Sequence, residues 1–370
     1  INTSNIAEPT VTDPSAYFQT ETYTGNGGTN ARTFDGNSDM QPDFLWIKGR
    51  SDAGESVLVD SVRGVGDGTG DNPSTKVLTP DSQAAEFEDT SSVTSFNVDG
   101  FTLGAGDSRN DTNDNTKTYI AWGLKANGTG SSDSGNSASI TVTRSTADHQ
   151  GFSICKGTYT SGTQSFSHGL GAKPEMVILR DLEDASQHWQ VQHKDVNANM
   201  KDITTLGLNR NNAAGSSSNW WGTEPSPTLQ YFTANQVTGT NDFVCYLFKR
   251  VSGLIGIGSY TGNSAVSGPA VIVDDGASGF KPAFVLIKNT QRSGNWNIYS
   301  NKTSNEYNPS GNILLADTSQ NEATVGGYPL DLTANGFKVR GNNNSHNYSG
   351  EKMIYLCFAE SPFGLNNRAK

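Results

Sequence analysis

The chain has 370 residues, of which 33% are hydrophobic and 41 are glycine, a composition that can bury cores and does not indicate disorder. The formal net charge is -11, which disfavours binding to nucleic acid or to an anionic membrane surface. No apolar run approaches the roughly 18 residues of a membrane-spanning helix, and short apolar runs bounded by Gly, Asn, Asp, Ser and Thr predict β-strands.

A first β module is predicted at 15–126, after an extended N-terminal arm at 1–14. It contains the turn Tyr23-Thr24-Gly25, the apolar run 44–48 that follows Pro42, and a closing run at 119–124. Proline suits the start of a strand because no hydrogen-bonded N–H is needed there, and a continuous apolar run suits a strand covered on both faces. Lys48, at the end of this run, suggests a strand that leaves the core. Because the chain begins with Ile1, we expect further residues before it.

The loop that follows in this module is rich in oxygen donors, and its calcium-ligand candidates are Asp107, Asp111, Asn113 and Asp114. Thr116 stands where an EF-hand loop requires glycine, and no glutamate occupies the twelfth position. The preferred interpretation is a solvated loop with no cofactor, and a calcium site is the alternative.

Residues 127–149 are predicted to form a Gly/Ser-rich linker and strand, and 150–251 a second module. This module contains Trp220 and Trp221 between Ser-Ser-Ser-Asn and Thr-Glu-Pro-Ser-Pro, which places them in a loop. Adjacent tryptophans in a polar loop can stack on sugars or fill a pocket in a partner, and they can equally cap the core of their own module.

A third module is predicted at 252–362, packed on the second because no linker separates them, and a polar tail at 363–370. Tyr307, Tyr328 and Tyr348 lie in its Asn/Gly-rich loops and are further candidates for contact with a ligand or receptor. The three cysteines each lie in an apolar run, which predicts buried free thiols made in a reducing compartment. They are Cys155, Cys245 and Cys357.

The three modules share the same runs in the same order. The closing strand begins 77, 69 and 71 residues after the leading prolines Pro42, Pro174 and Pro282. Such regular spacing indicates an internal repeat. The predicted fold class is therefore all-β, with tandem antiparallel β-sandwich modules and long polar loops.

The repeated runs resemble a repeat family of phage tail-fibre and other virion-surface β proteins that is common in marine bacteriophages. The family pattern is Tyr-Thr-Gly, then Pro-x-Phe-Val-x-Ile-Lys, Asn-Gly-Phe and Cys-Phe-Ala-Glu. The third module matches it best, at 282–288, 335–337 and 357–360, and the second lacks an obvious Asn-Gly-Phe. The resemblance covers about 15–365 and implies a virion-surface protein with no catalytic residue.

The expected function is thus a structural protein of a bacteriophage particle, tail-fibre- or spike-like, that contributes to host attachment. Expected partners are other virion proteins, further copies of the chain in a homotrimer, and a host glycan or surface protein, with assembly in the host cytoplasm. No Gly-x-Ser-x-Gly, phosphate loop or His-Glu-x-x-His is present, so no enzymatic activity is predicted. A capsid decoration or adaptor protein and a cellular carbohydrate-binding adhesin are the alternatives.

Overall fold

A computed structural model describes residues 8–66, 74–106, 112–201, 204–216, 220–221, 223–234, 239–303, 308–324 and 329–361. Within these ranges the chain consists almost entirely of antiparallel β-sheets, which confirms the all-β sandwich prediction. The helical elements described are a 3-10 turn at Pro14–Ala16 and one α-helix, α1, at Asn344–Asn347. No helix in the described ranges has the length and hydrophobicity needed to cross a membrane.

The described residues of the first module form nine strands. They are β1 (Phe18–Thr24), β2 (Asn30–Arg32), β3 (Phe44–Gly49), β4 (Val57–Asp60), β5 (Thr75–Val77), β6 (Phe87–Asp89), β7 (Val93–Phe96), β8 (Phe101–Leu103) and β9 (Thr118–Leu124). The main sheet has the order β1-β9-β3-β4, and the smaller sheet has the order β2-β8-β7. Gly100 makes the turn into β8 at φ +99°, where a Cβ would lie 2.1 Å from the carbonyl oxygen of Arg32, so only glycine fits.

In the second module and the segment before it, the part of the chain that the structure describes forms ten strands. They are β10 (Ser131–Asp133), β11 (Val142–Thr146), β12 (Phe152–Thr160), β13 (Gly162–Ser167), β14 (Met176–Asp181), β15 (Gln190–His193), β16 (Thr204–Gly207), β17 (Gly215–Ser216), β18 (Leu229–Ala234) and β19 (Thr240–Phe248). The main sheet has the order β10-β11-β12-β19-β14-β15-β16-β17, and β13 pairs with β18. The Gly/Ser-rich segment before the module therefore extends the main sheet as the hairpin β10–β11.

Outside 304–307 and 325–328, the third module forms nine strands. They are β20 (Ile255–Thr261), β21 (Ala270–Ile272), β22 (Phe284–Asn289), β23 (Asn297–Ser300), β24 (Asn312–Leu315), β25 (Ala323–Thr324), β26 (Leu330–Thr333), β27 (Gly336–Val339) and β28 (Lys352–Phe358). The main sheet has the order β20-β28-β22-β23-β24-β25, and the smaller sheet has the order β21-β27-β26. The same four-strand arrangement thus occurs three times, as β1-β9-β3-β4, β12-β19-β14-β15 and β20-β28-β22-β23.

Each main sheet contributes to two hydrophobic cores. In β3, Phe44 and Trp46 belong to a central core, whereas Leu45 and Ile47 belong to the core of the first module alone. Strands β14 and β22 divide their residues in the same alternating way, as expected from the two-residue period of a strand. The strand after each leading proline is therefore covered on both faces, as predicted.

The central core joins all three modules. Phe44 of the first module packs edge-on against Tyr246 of the second, with ring centroids 5.1 Å apart. Phe284 of the third module packs against Trp122 of the first at 5.4 Å, and Phe358 of the third against Phe248 of the second at 6.0 Å. Each module thus contacts the other two through aromatic side chains, and all three share the central core.

Residues 8–14, predicted as part of an extended arm, instead pack on the body of the protein. Val11 is buried in the central core, and its N–H donates to the carbonyl oxygen of Ser252 at 3.1 Å. The side chain of Pro9 lies against Gly253. Residues 1–7 and the predicted tail at 363–370 lie outside the described ranges.

Candidate functional site

The tryptophan pair predicted as a receptor contact is buried. Trp220 is 3% exposed and Trp221 is 1% exposed, and both belong to the core of the second module. The Trp220 ring packs edge-on against Tyr159 with centroids 6.0 Å apart, and its carbonyl oxygen accepts from the N–H of Thr233 at 2.8 Å. Of the two interpretations left open by the sequence, the structure supports the second, because both indole rings belong to the core of their own module.

We expect Trp221→Ala to lower the free energy of unfolding by about 3–5 kcal/mol, because the substitution leaves a cavity in a packed core. Val98→Ala is the control, since Val98 is 78% exposed and its truncation should change stability by less than about 0.5 kcal/mol. Urea unfolding followed by far-UV circular dichroism measures both. Equal stability of the two variants would contradict the burial of Trp221.

Of the three tyrosine candidates, the structure describes Tyr348, whereas Tyr307 and Tyr328 lie outside the described ranges. Tyr348 is half-buried, and the guanidinium carbon of Arg292 stands 3.4 Å from its ring centroid. Glu351 holds that guanidinium with two contacts of 2.8 and 2.9 Å. A cation therefore covers one face of the Tyr348 ring, and the ring also packs against the core of the third module.

The calcium candidates are only partly described. Asp107 and Asp111 lie outside the described ranges, and the residues within those ranges contain no group of three or more His, Cys, Asp or Glu suited to a metal ion. Asn113 is fully buried, and its amide donates to the carbonyl oxygens of Gly28 and Gly104 at 2.5 Å each. Its oxygen accepts from the N–H of Asn26 at 3.1 Å. Asn113 therefore holds neighbouring loops together, while Asp114 is half-buried in the same turn.

The three cysteines are buried free thiols, as predicted. Cys155 and Cys245 face each other across β12 and β19, and Cys357 lies in the core of the third module. Burial raises the pKa of the Cys155 thiol to about 12. These thiols are consequently poor nucleophiles in the folded protein.

Sequence analysis missed a set of buried cations at the contacts between modules. Lys48, Arg180 and Lys288 are each the last residue but one of the strand after a leading proline, and none is more than 1% exposed. The prediction that Lys48 marks a strand leaving the core is therefore wrong. Burial lowers the pKa of all three, to about 10 for Arg180 and to about 8 for Lys288.

Each buried cation donates to main-chain carbonyl oxygens of the preceding module in a cyclic order. These contacts define three seams between modules. At seam 3–1, Lys48 of the first module donates to Thr318 of the third at 2.6 Å. At seam 1–2, Arg180 of the second module donates to Gln83 of the first at 2.6 Å. At seam 2–3, Lys288 of the third module donates to Asn211 of the second at 2.9 Å. The repetition of one contact at all three seams indicates a pseudo-threefold arrangement of the modules.

Two tryptophans reinforce the seams. The indole N–H of Trp189 donates to the carbonyl oxygen of Thr79 across seam 1–2 at 3.2 Å, and that of Trp296 donates to the carbonyl oxygen of Gly207 across seam 2–3 at 2.8 Å. At seam 3–1 the equivalent position holds Ser56, whose hydroxyl lies 3.2 Å from the ammonium of Lys48. The recurrence of tryptophan 14 or 15 residues after the leading proline was the available sequence signal for these contacts.

An open cleft of about 470 Å³ lies at seam 2–3, and it is the candidate binding site of the described structure. Val196 and Ala213 contribute apolar surface, and Asp195, Gln291 and Lys352 contribute polar groups. The volume falls within the range of about 300–1,000 Å³ that small-molecule sites occupy. No sequence motif marked these residues, because they come from two modules and from four separate loops or strand ends.

The fold defines an all-β protein made of three fused sandwich modules around one core. Residues 13–362 match the family model of a domain of unknown function, DUF7483, and the chain belongs to that family. One family model thus spans all three modules. No curated protein matches the chain.

Proposed function

We propose that this chain is a structural protein on the surface of a bacteriophage particle, tail-fibre- or spike-like, and that it contributes to attachment to the host surface. The observation that carries the proposal is the fusion of three sandwich modules around one aromatic core. Such a body is suited to act as a fixed spacer, because none of its modules can move without exposing that core. The repeated runs that resemble virion-surface proteins lie in the strands that build this body.

The pseudo-threefold arrangement bears on the expected homotrimer. Closed symmetric assemblies place equivalent surfaces around an axis, and here one chain already places three related modules in that way. We propose that the structural unit is a single chain. Sedimentation equilibrium should then give a mass near 39.4 kDa, whereas three times that mass would support the homotrimer.

The location of the protein tests the attachment role. We expect an antibody against this chain to label the tail fibres or the tail tip of the source particles in negative-stain electron microscopy. Even label over the capsid would favour the alternative, a decoration or adaptor protein that stabilises the particle. The virion assignment would be overturned if the particles carried no label and mass spectrometry detected no such chain in them.

A further inference from the structure

The three seams carry one main-chain hydrogen bond at equivalent places, and this makes them directly comparable. The bonds run from Glu322 N–H to Arg50 O at seam 3–1 (3.0 Å), from Glu86 N–H to Leu182 O at seam 1–2 (2.8 Å), and from Ala214 N–H to Thr290 O at seam 2–3 (2.9 Å). The side chains beside these bonds differ among the seams, so each seam serves as an internal control for the other two.

At two seams, large side chains fill this place. The Arg50 guanidinium and the Glu322 carboxylate lie 2.5 Å apart at seam 3–1. At seam 1–2, Glu86 pairs with Arg63 at 3.1 Å, and Leu182 is buried beside it.

At seam 2–3 the two positions hold Ala214 and Thr290, and the cleft of about 470 Å³ lies here. The hydroxyl of Thr290 donates to the carbonyl oxygen of Lys352 at 2.9 Å and leaves the space open. Small residues thus border the cleft at the two positions where the other seams carry larger side chains.

The lining of this cleft is polar at its edges and nearly neutral in charge. The ammonium of Lys352 is held by the carbonyl oxygen of Asp195 at 2.9 Å, and the side-chain oxygen of Gln291 accepts from the N–H of Lys352 at 2.7 Å. These contacts leave the other N–H groups of the ammonium, the amide nitrogen of Gln291 and the carboxylate of Asp195 to serve a ligand. Val196 and Ala214 add apolar surface between them.

We propose that this cleft binds an uncharged saccharide of one or two sugar units, an inference that rests on the attachment role proposed above. Hydroxyl groups both donate and accept, so one sugar can satisfy the carboxylate, the amide and the ammonium together. Its C–H faces can contact Val196 and Ala214. An anionic ligand would face the carboxylate of Asp195, and an apolar ligand would leave the polar groups without partners.

The test compares the full chain with a variant in which the cleft is filled by a glutamate, the residue found at the equivalent position of the other two seams. Ala214→Glu introduces a glutamate at the position that Glu86 and Glu322 occupy at the other two seams. Gln291→Ala removes the side-chain amide donor without filling the cleft. Lys117→Ala is the matched control, because Lys117 is a partly exposed lysine beside seam 3–1. The probe is a microarray of neutral hexose and N-acetylhexosamine oligosaccharides with a sialylated and a phosphorylated set alongside, and thermal unfolding confirms that each variant is folded.

We expect the wild type and Lys117→Ala to bind neutral oligosaccharides, and Ala214→Glu and Gln291→Ala to bind them at least about tenfold more weakly. Equal binding by a folded Ala214→Glu variant, or binding confined to the charged sets, overturns the assignment of the cleft. Adhesion of the chain to host cells separates this failure from that of the proposed function. Adhesion that is equal for wild type and Ala214→Glu leaves attachment standing without the cleft, whereas no adhesion by the wild type overturns both.

Discussion

Phe284→Ala is expected to lower the free energy of unfolding by about 3–5 kcal/mol and to lower the stability of all three modules together. Phe284 is 3% exposed in the central core, where its ring contacts Trp122 of the first module and Phe358 of its own. Truncation to alanine leaves a cavity in the core that all three modules share. Because the modules share this core, the loss should appear as one shifted transition and not as the early melting of one module.

The reactivity of the buried cysteines reports the unfolding of individual modules and so tests this prediction. Cys155 reports on the second module and Cys357 on the third, since each thiol becomes reactive only when its own core opens. The measurement is pulsed alkylation across a urea series, read by mass spectrometry. In the wild type we expect both thiols to become labelled at the same urea concentration. In Phe284→Ala we expect them again to become labelled together, at a lower urea concentration. Phe166→Ala, within the core of the second module, is the control and should also shift both thiols together. Labelling of Cys155 while Cys357 stays protected would show that the modules unfold independently.

Asp60→Asn is expected to destabilise the protein by about 3–5 kcal/mol, because it breaks a buried ion pair and leaves the positive charge of Arg63 with too few partners. The Asp60 carboxylate lies 2.5 Å from the Arg63 guanidinium, and neither side chain is exposed to solvent. It also accepts from the hydroxyl of Tyr246 in the second module at 2.6 Å. Burial would lower the pKa of the Arg63 guanidinium, but Asp60 and Glu86 raise it above its ordinary value.

Asp52→Asn provides the matched control for Asp60→Asn. Asp52 forms an ion pair of 2.5 Å with Lys117, but the two side chains are 50% and 37% exposed, so its loss should cost less than about 1 kcal/mol. The double variant Asp60→Asn with Arg63→Met should recover part of the loss, because it removes the unpaired charge. Urea unfolding of the four proteins gives these values, and equal effects of Asp60→Asn and Asp52→Asn would contradict the role of the buried pair.

The sequence by itself determined the strands and their repetition. Pro42, Pro174 and Pro282 each precede a continuous apolar run, and such a run predicts a strand buried on both faces. The regular distance to the closing strands predicted three related units, and the structure contains the same four-strand order three times. These features are local, because strand formation depends on the residue types within a short window.

Only the tertiary structure decided what each buried residue packs against. The run at 44–47 is apolar throughout, and nothing in it distinguishes Trp46, in the central core, from Leu45, in the core of its own module. Trp220 and Trp221 stand in a polar sequence, yet the chain folds over them, because the surrounding aromatic rings belong to strands distant in sequence. Hydrophobicity predicts burial but not the partner.

The seams likewise depend on contacts between residues far apart in the chain. Lys48 and Lys288 resemble ordinary strand-end lysines, and only the carbonyl oxygens of a neighbouring module make their burial possible. The open cleft is bordered by Ala214 and Thr290. The importance of these two small residues becomes clear only when the three seams are compared, because the other two seams have larger side chains at the same positions. The sequence thus determined which strands form and how often they recur, and the packing of three modules around one core decided where the open cleft lies.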